Sequence, residues 1–274
     1  MGLSVDFGAG CHERNHMPMK DRDVIKAFVD YLRQNGRPGL QVERWPEDET
    51  RESKEIDAVA GSFAIEHTSI DSVPSQRRDS DWFMRVAGGL ERELDNRLTF
   101  RLRVTLKYEA VMKGQNWPGI RQALKNWITT EAAKLEDGRH VLEGIPGMPF
   151  RLHVSKASDR APGLYLSRLE PSDTTLPCRM RNLFNRKANK LAKYQGFGKK
   201  TVLLVENDDI ALMNKEKMFD AIRKAYPDGP PEGVDQIWYA DTSISSEIVF
   251  RDFTPGVRQG NRPIESSGCG KPPC

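Results

Sequence analysis

The sequence predicts an α/β protein in which a mixed sheet with flanking helices is interrupted by an inserted α+β lobe. Three observations point there. Two apolar, β-prone runs flank Gly61-Ser62 within residues 55–70. The run Thr201-Val-Leu-Leu-Val-Glu206 lies between two segments of helical periodicity, as a strand buried on both faces does. Between them, Leu98 to Glu109 alternates apolar and polar residues, and its polar face is mostly basic.

The outer bounds come from composition. The chain has 274 residues, 38% hydrophobic and 30% charged, enough for one elaborated domain or two small ones with real cores. No stretch approaches the roughly 20 apolar residues of a membrane span. The first residues lack a basic segment followed by an apolar run, so a cytoplasmic setting is expected. Cys11, Cys178, Cys269 and Cys274 are too scattered for a disulfide framework. Cys11-His12 with His16, and Cys269 with Cys274, lack the four-ligand spacing of structural zinc. The net charge of +3 selects no partner, but its distribution does: residues 179–200 carry eight Lys or Arg and no acid. That concentration suits a polyanion, although a solvated basic helix is the commoner reading of such a run.

In order along the chain, residues 1–20 read as a loose arm. Asp21 to Gln34 is a helix, with Val24, Ile25, Phe28, Val29 and Leu32 on one side and Gly36 and Pro38 ending it. Leu40 to Trp45 is a strand, and the acidic run 46–54 is a loop. The lobe, 75–178, starts with a helix over 80–97 and the strand 98–109. A helix beginning at Pro118 follows, then short strands near 140–143, 150–155 and 164–169. It either stands alone or adds strands to the main sheet. The core, 1–74, resumes over 179–254 with a helix at 180–195, the strand at 201–206, a helix at 214–225 and a strand at 234–240. Residues 255–274, rich in Pro, Gly and Ser, are expected to be disordered.

The chemistry gathers at the hairpin. A two-residue Gly61-Ser62 loop pairs Ala60 with Phe63, which puts Asp57 opposite Glu66 and Glu55 opposite Thr68. Those four then share one face, with Ile56, Ile65 and His67 on the other. Facing carboxylates repel unless a cation lies between them, and a hard divalent ion, Mg2+ or Mn2+, is the simplest one. An edge hairpin with a solvated acidic face is the bland alternative.

At these residues the chain resembles the PD-(D/E)XK, or restriction-endonuclease-like, nucleases, whose signature is an acidic residue followed on the next strand by acidic-x-Lys. Asp57 and Glu66-His67-Thr68 occupy those places, with Ile56 in place of the Pro and Thr68 in place of the Lys. The resemblance implies an αβββαβ core, Asp57 and Glu66 (with Glu55 as a third candidate) holding Mg2+ or Mn2+, and hydrolysis of nucleic acid, DNA first. A hydroxyl at Thr68 cannot supply an ammonium's charge. At 100° steps, Lys187 falls in the middle of the apolar stripe Met180, Leu183, Phe184, Leu191 and Tyr194 of the 180–195 helix, and Lys190 lies at its edge. A lysine there needs an anion on the sheet, so Lys187, with Lys190 second, is the expected replacement; the alternative is that it snorkels to solvent. Arg101, Arg103, Arg179, Arg181 and Lys193 are the candidate phosphate contacts, and a homodimer is left open. Competing readings are a nucleic-acid-binding or scaffold protein of the same fold without cleavage, and a partner-binding module.

Overall fold

The computed structural model describes residues 19–49, 55–209, 212–244 and 246–259. In chain order the first elements are α1 (Asp21–Gln34), β1 (Val42–Arg44), α2 (Pro46–Glu49), β2 (Ala58–Ala60) and β3 (Phe63–Ser69). Next come α3 (Gln76–Ala87), α4 (Leu90–Leu94), β4 (Arg101–Leu106), α5 (Trp117–Thr130), β5 (Gly138–Leu142), β6 (Leu152–Ala157) and β7 (Gly163–Arg168). The last are α6 (Leu176–Gly196), β8 (Lys200–Asn207), α7 (Lys215–Ala225), β9 (Gln236–Asp241), β10 (Val249–Asp252) and α8 (Thr254–Arg258). The described residues form two units: Val73–Ser172, and the chain before and after it. No helix among them is long and apolar enough to cross a membrane.

The discontinuous unit holds a six-stranded sheet in the order β1-β2-β3-β8-β9-β10. Its centre, β3-β8-β9, is parallel, and the remaining neighbours are antiparallel. Strand β8 is buried on both faces, which is why it reads as a continuous apolar run. Alternation sends Val202 and Leu204 to a cluster with Phe28 and Ile25 of α1, and Leu203 and Val205 to one with Phe184 and Leu191 of α6 and Ile222 of α7. Helix α1 spans the residues its periodicity predicts.

The 73–172 unit has its own four-stranded sheet, β5-β6-β4-β7, so its strands do not join the main one. Leu102, Val104 and Leu106 of β4 pack with Leu90 of α4 and Leu124 and Ile128 of α5, while Arg101, Arg103 and Thr105 alternate to the opposite face. The helix predicted over 80–97 is two: Gly88-Gly89 ends α3, and Gly89 takes φ +76°, which a helix cannot hold. The predicted strand 98–109 pairs only over 101–106.

Three further expectations are corrected. The 46–54 loop begins with the short helix α2. Strand β10 was not anticipated; four residues are held on β9 because Phe250 packs on Phe28, with ring centroids 5.4 Å apart. The tail predicted to be disordered from 255 starts as α8, with Val257 buried and the Thr254 hydroxyl accepting the Ile237 N–H at 3.0 Å. Local composition favoured disorder there, and tertiary packing overrides it. The arm before residue 19, the remaining tail and the candidate zinc residues Cys11, His12, His16, Cys269 and Cys274 lie outside the described residues.

Candidate active site

The β2–β3 hairpin has the predicted register, with Ala60 on Phe63, Val59 on Ala64 and Ala58 on Ile65. Gly61 supplies the one positive φ, +51°, in the two-residue turn. Ladder pairing stops at Ala58, so the predicted cross-strand pairs Asp57 with Glu66 and Glu55 with Thr68 do not form. The next pair would hand the His67 N–H to the Ile56 carbonyl, but the Asp57 carboxylate takes it instead, Oδ2 accepting at 2.6 Å. The chain turns there, and Ile56 packs with Ala64 and Phe184 rather than beside Ile65 and His67 as alternation predicted. Asp57 is thereby anchored through one oxygen.

Glu66 has no solvent exposure, and its Oε1 accepts from Lys187 Nζ at 2.5 Å and lies 3.0 Å from Lys190 Nζ. The two lysines stand three residues apart on α6, so they share the face turned to the sheet. Lys190 also lies 3.4 Å from Glu47 of α2. The other Glu66 oxygen, Oε2, is buried without a hydrogen-bond partner among the described residues. Burial raises the pKa of Glu66, and the Asp57 charge adds to it; burial likewise raises that of Asp57. Burial would lower the Lys190 pKa, but its bond to Glu66 and the charges of Glu66, Asp57 and Glu47 outweigh that and raise it.

This donor set fits a hard divalent cation. A buried carboxylate oxygen with nothing bonded to it, beside a second carboxylate, forms a deficit that a cation fills and a further proton only partly relieves. Thr68 is buried two residues along the same face as Glu66. Glu55 is directed elsewhere: its Oε2 accepts from the Tyr194 hydroxyl at 2.7 Å and its Oε1 lies 3.7 Å from Lys193 Nζ. Burial, with Glu55 beside it, pushes the Tyr194 phenol up to about 12.

His67 points to the α1 side of the sheet. Its Nε2 is 3.1 Å from Glu206 Oε2, though out of line for a hydrogen bond, and its Nδ1 is 3.8 Å from Asp21 Oδ1. Glu206 is held by the Thr242 hydroxyl, which donates at 2.5 Å. Burial would lower the imidazole pKa, but Asp21 and Glu206 outweigh it and push it to about 9. Sequence reasoning placed His67 on this face but found neither acid. Glu206 ends a strand that otherwise reads as apolar, which was the available signal for a buried carboxylate; Asp21 offered none.

The proposed phosphate contacts separate into two groups. Arg179 donates to the Asp71 and Ser72 carbonyls and to Asp173, each at 2.8 Å, and Arg181 donates to the Ala225 carbonyl at 2.8 Å. Lys193 faces Glu55. Arg101 and Arg103 stand on the outward face of the 73–172 sheet, where Arg101 lies over the Tyr165 ring at 5.3 Å. Comparison of the chain with family models, curated proteins and solved structures finds no match to any of them.

Proposed function

We propose that the discontinuous unit is a restriction-endonuclease-like, PD-(D/E)XK domain that hydrolyses phosphodiesters of nucleic acid with a divalent metal. The observation that carries this reading is the state of Glu66: one oxygen is bound by two ammoniums from α6, and the other is buried and unbonded. A purely structural ion pair has no use for the second oxygen, whereas a metal centre does.

Asp57 and Glu66 would hold Mg2+ or Mn2+, and such an ion supplies a polarised phosphate oxygen and an activated water. Asp57, fixed by the His67 N–H through Oδ2, offers Oδ1 without having to be ordered on binding. Lys187 and Lys190 keep two positive charges at the acidic pair, where they stabilise negative charge developing on the phosphorus oxygens. They do the work of the lysine that the resemblance places at Thr68, whose hydroxyl offers a hydrogen bond and no charge. Lys187, the closer to Glu66, is assigned the larger part.

The test is cleavage of single- and double-stranded DNA and RNA with Mg2+ or Mn2+, beside Asp57→Asn, Glu66→Gln, Lys187→Met and an EDTA control. Loss of at least about 100-fold in each variant and complete loss in EDTA is expected. Undiminished cleavage by Asp57→Asn overturns the site. One observation favours a second reading: the two lysines already neutralise Glu66, as they would in a nucleic-acid-binding relative that has lost cleavage. Magnesium binding without turnover of any substrate selects that reading.

A further inference from the structure

We infer that the outward face of the β5-β6-β4-β7 sheet binds single-stranded nucleic acid. This rests on the nucleic-acid part of the proposed function, not on cleavage.

The register builds the face row by row. Arg139, Ser155, Arg103 and Tyr165 stand side by side across the four strands, and Val141, His153, Thr105 and Ser167 form the next row. Arg101 extends the first column of charge along β4, two residues from Arg103. None of the four strands contains an Asp or Glu. Arg101, Arg103, Arg139 and Arg160 form no ion pair among the described residues. Asp137, at the rim, is occupied by the Ser158 N–H and hydroxyl, each at 2.8 Å. The face floors a concavity of about 960 Å³. In it the His153 Nε2 is buried with no hydrogen-bond partner.

An outward sheet face is ordinarily polar with mixed signs, because like charges set side by side cost stability. Here the strands themselves contribute cations only, and the two acids that line the concavity, Asp137 and Asp159, lie outside the strands, so the face is net positive and suits an anionic ligand. The outer strands are about 14 Å apart. A duplex keeps its bases stacked inside the helix, so it can offer this concavity phosphates but no base face for Tyr165. A single strand lies flat across the rows, with phosphates on the arginines and a base against Tyr165.

The experiment measures fluorescence anisotropy of a labelled 20-nucleotide single strand and its duplex, in EDTA, over a salt series. It compares wild type, Arg103→Gln/Arg139→Gln, Tyr165→Ala and Asp57→Asn, with thermal unfolding of each to verify folding. The double variant is expected to lose at least about tenfold in affinity and to lower the salt slope by about 1.4. Tyr165→Ala is expected to lose about tenfold for the single strand and nothing for the duplex. Binding is read in EDTA, where metal-dependent cleavage does not occur, so a failure of the cleavage site leaves this result standing. Unchanged binding in the double variant, equal affinity for the duplex, or displacement by polyglutamate as readily as by unlabelled single strand overturns the inference. Loss of binding in Asp57→Asn alone also overturns it, since the ligand would then sit on the other unit. Should the double variant fail to fold, Arg160→Gln on the rim replaces it, with a smaller loss of the same sign expected.

Discussion

Helix α6 and strand β4 both look basic, yet the fold treats their charges in opposite ways. Of the eight cations in 179–200, Arg179 and Arg181 are bound to backbone carbonyls, Lys187 and Lys190 to Glu66, Lys193 lies near Glu55, and Lys199 donates to the Gly61 carbonyl at 2.6 Å. Six of the charges that marked this run as a polyanion site are therefore engaged within the unit. On β4, Arg101 and Arg103 belong to no conspicuous charge run, and no carboxylate among the described residues pairs with them. A dense run on a helix that packs on a sheet is placed to meet that sheet's acids and carbonyls. On the open face of a sheet Arg101 meets a carbonyl and a ring but no acid, so its charge and that of Arg103 are left to solvent or a ligand.

Removing a partner of the consumed charges gives the largest effect on stability. Glu66→Ala leaves Lys187 and Lys190, each about four-fifths buried, without the carboxylate that pairs with both, and with only Asp57 and Glu47 as nearby anions. Loss of about 3 kcal/mol is expected, read from the urea midpoint at constant m. A loss below about 1 kcal/mol would mean that both ammoniums reach water, and the contrast with β4 would collapse.

His67 is a third consumed cation, and its contribution depends on pH. Its folded pKa, about 9, lies above the ordinary imidazole value of 6.5. The folded state therefore binds the proton more tightly, and that stabilisation is complete below pH 6.5 and lost as pH rises through 9. The size is on the order of 3 kcal/mol. Urea midpoints of wild type against His67→Gln, measured from pH 6 to 9.5, should converge toward the alkaline end. Parallel curves would show that Asp21 and Glu206 do not hold the ring charged.

How much of this was legible follows from the range of the interactions. The hairpin register is local and was readable from Gly61-Ser62, and the face of α6 that Lys187 occupies was readable from 100° steps. That a lysine in the centre of the stripe needs an anion on the sheet is a physical requirement, and Glu66 lies 2.5 Å from it. Illegible were events in which a side chain replaces a backbone group, as when Asp57 takes the His67 N–H and turns Ile56 to the other face. Also illegible were partners distant in sequence: Glu47 beside Lys190, and Asp21 and Glu206 around His67. The charge run misled because composition counts cations without recording which are already bound.

The smallest expected effects sharpen the contrast most, since they compare one residue type in the two settings. Arg179→Ala removes donors from the Asp71 and Ser72 carbonyls and from Asp173, whose pKa these bonds and Thr175 hold low against the opposing effect of burial. That should cost about 1–2 kcal/mol, because three hydrogen bonds to part-buried acceptors are lost. Arg103→Ala removes an exposed guanidinium that has no bond among the described residues, and stability should stay within about 0.5 kcal/mol of wild type. It can even rise slightly, as repulsion from Arg101 on the same face is relieved. Denaturant midpoints of the two variants decide the matter: equal losses would mean that Arg103 is as deeply built into its unit as Arg179, and the β4 face would then have no charge to offer a ligand.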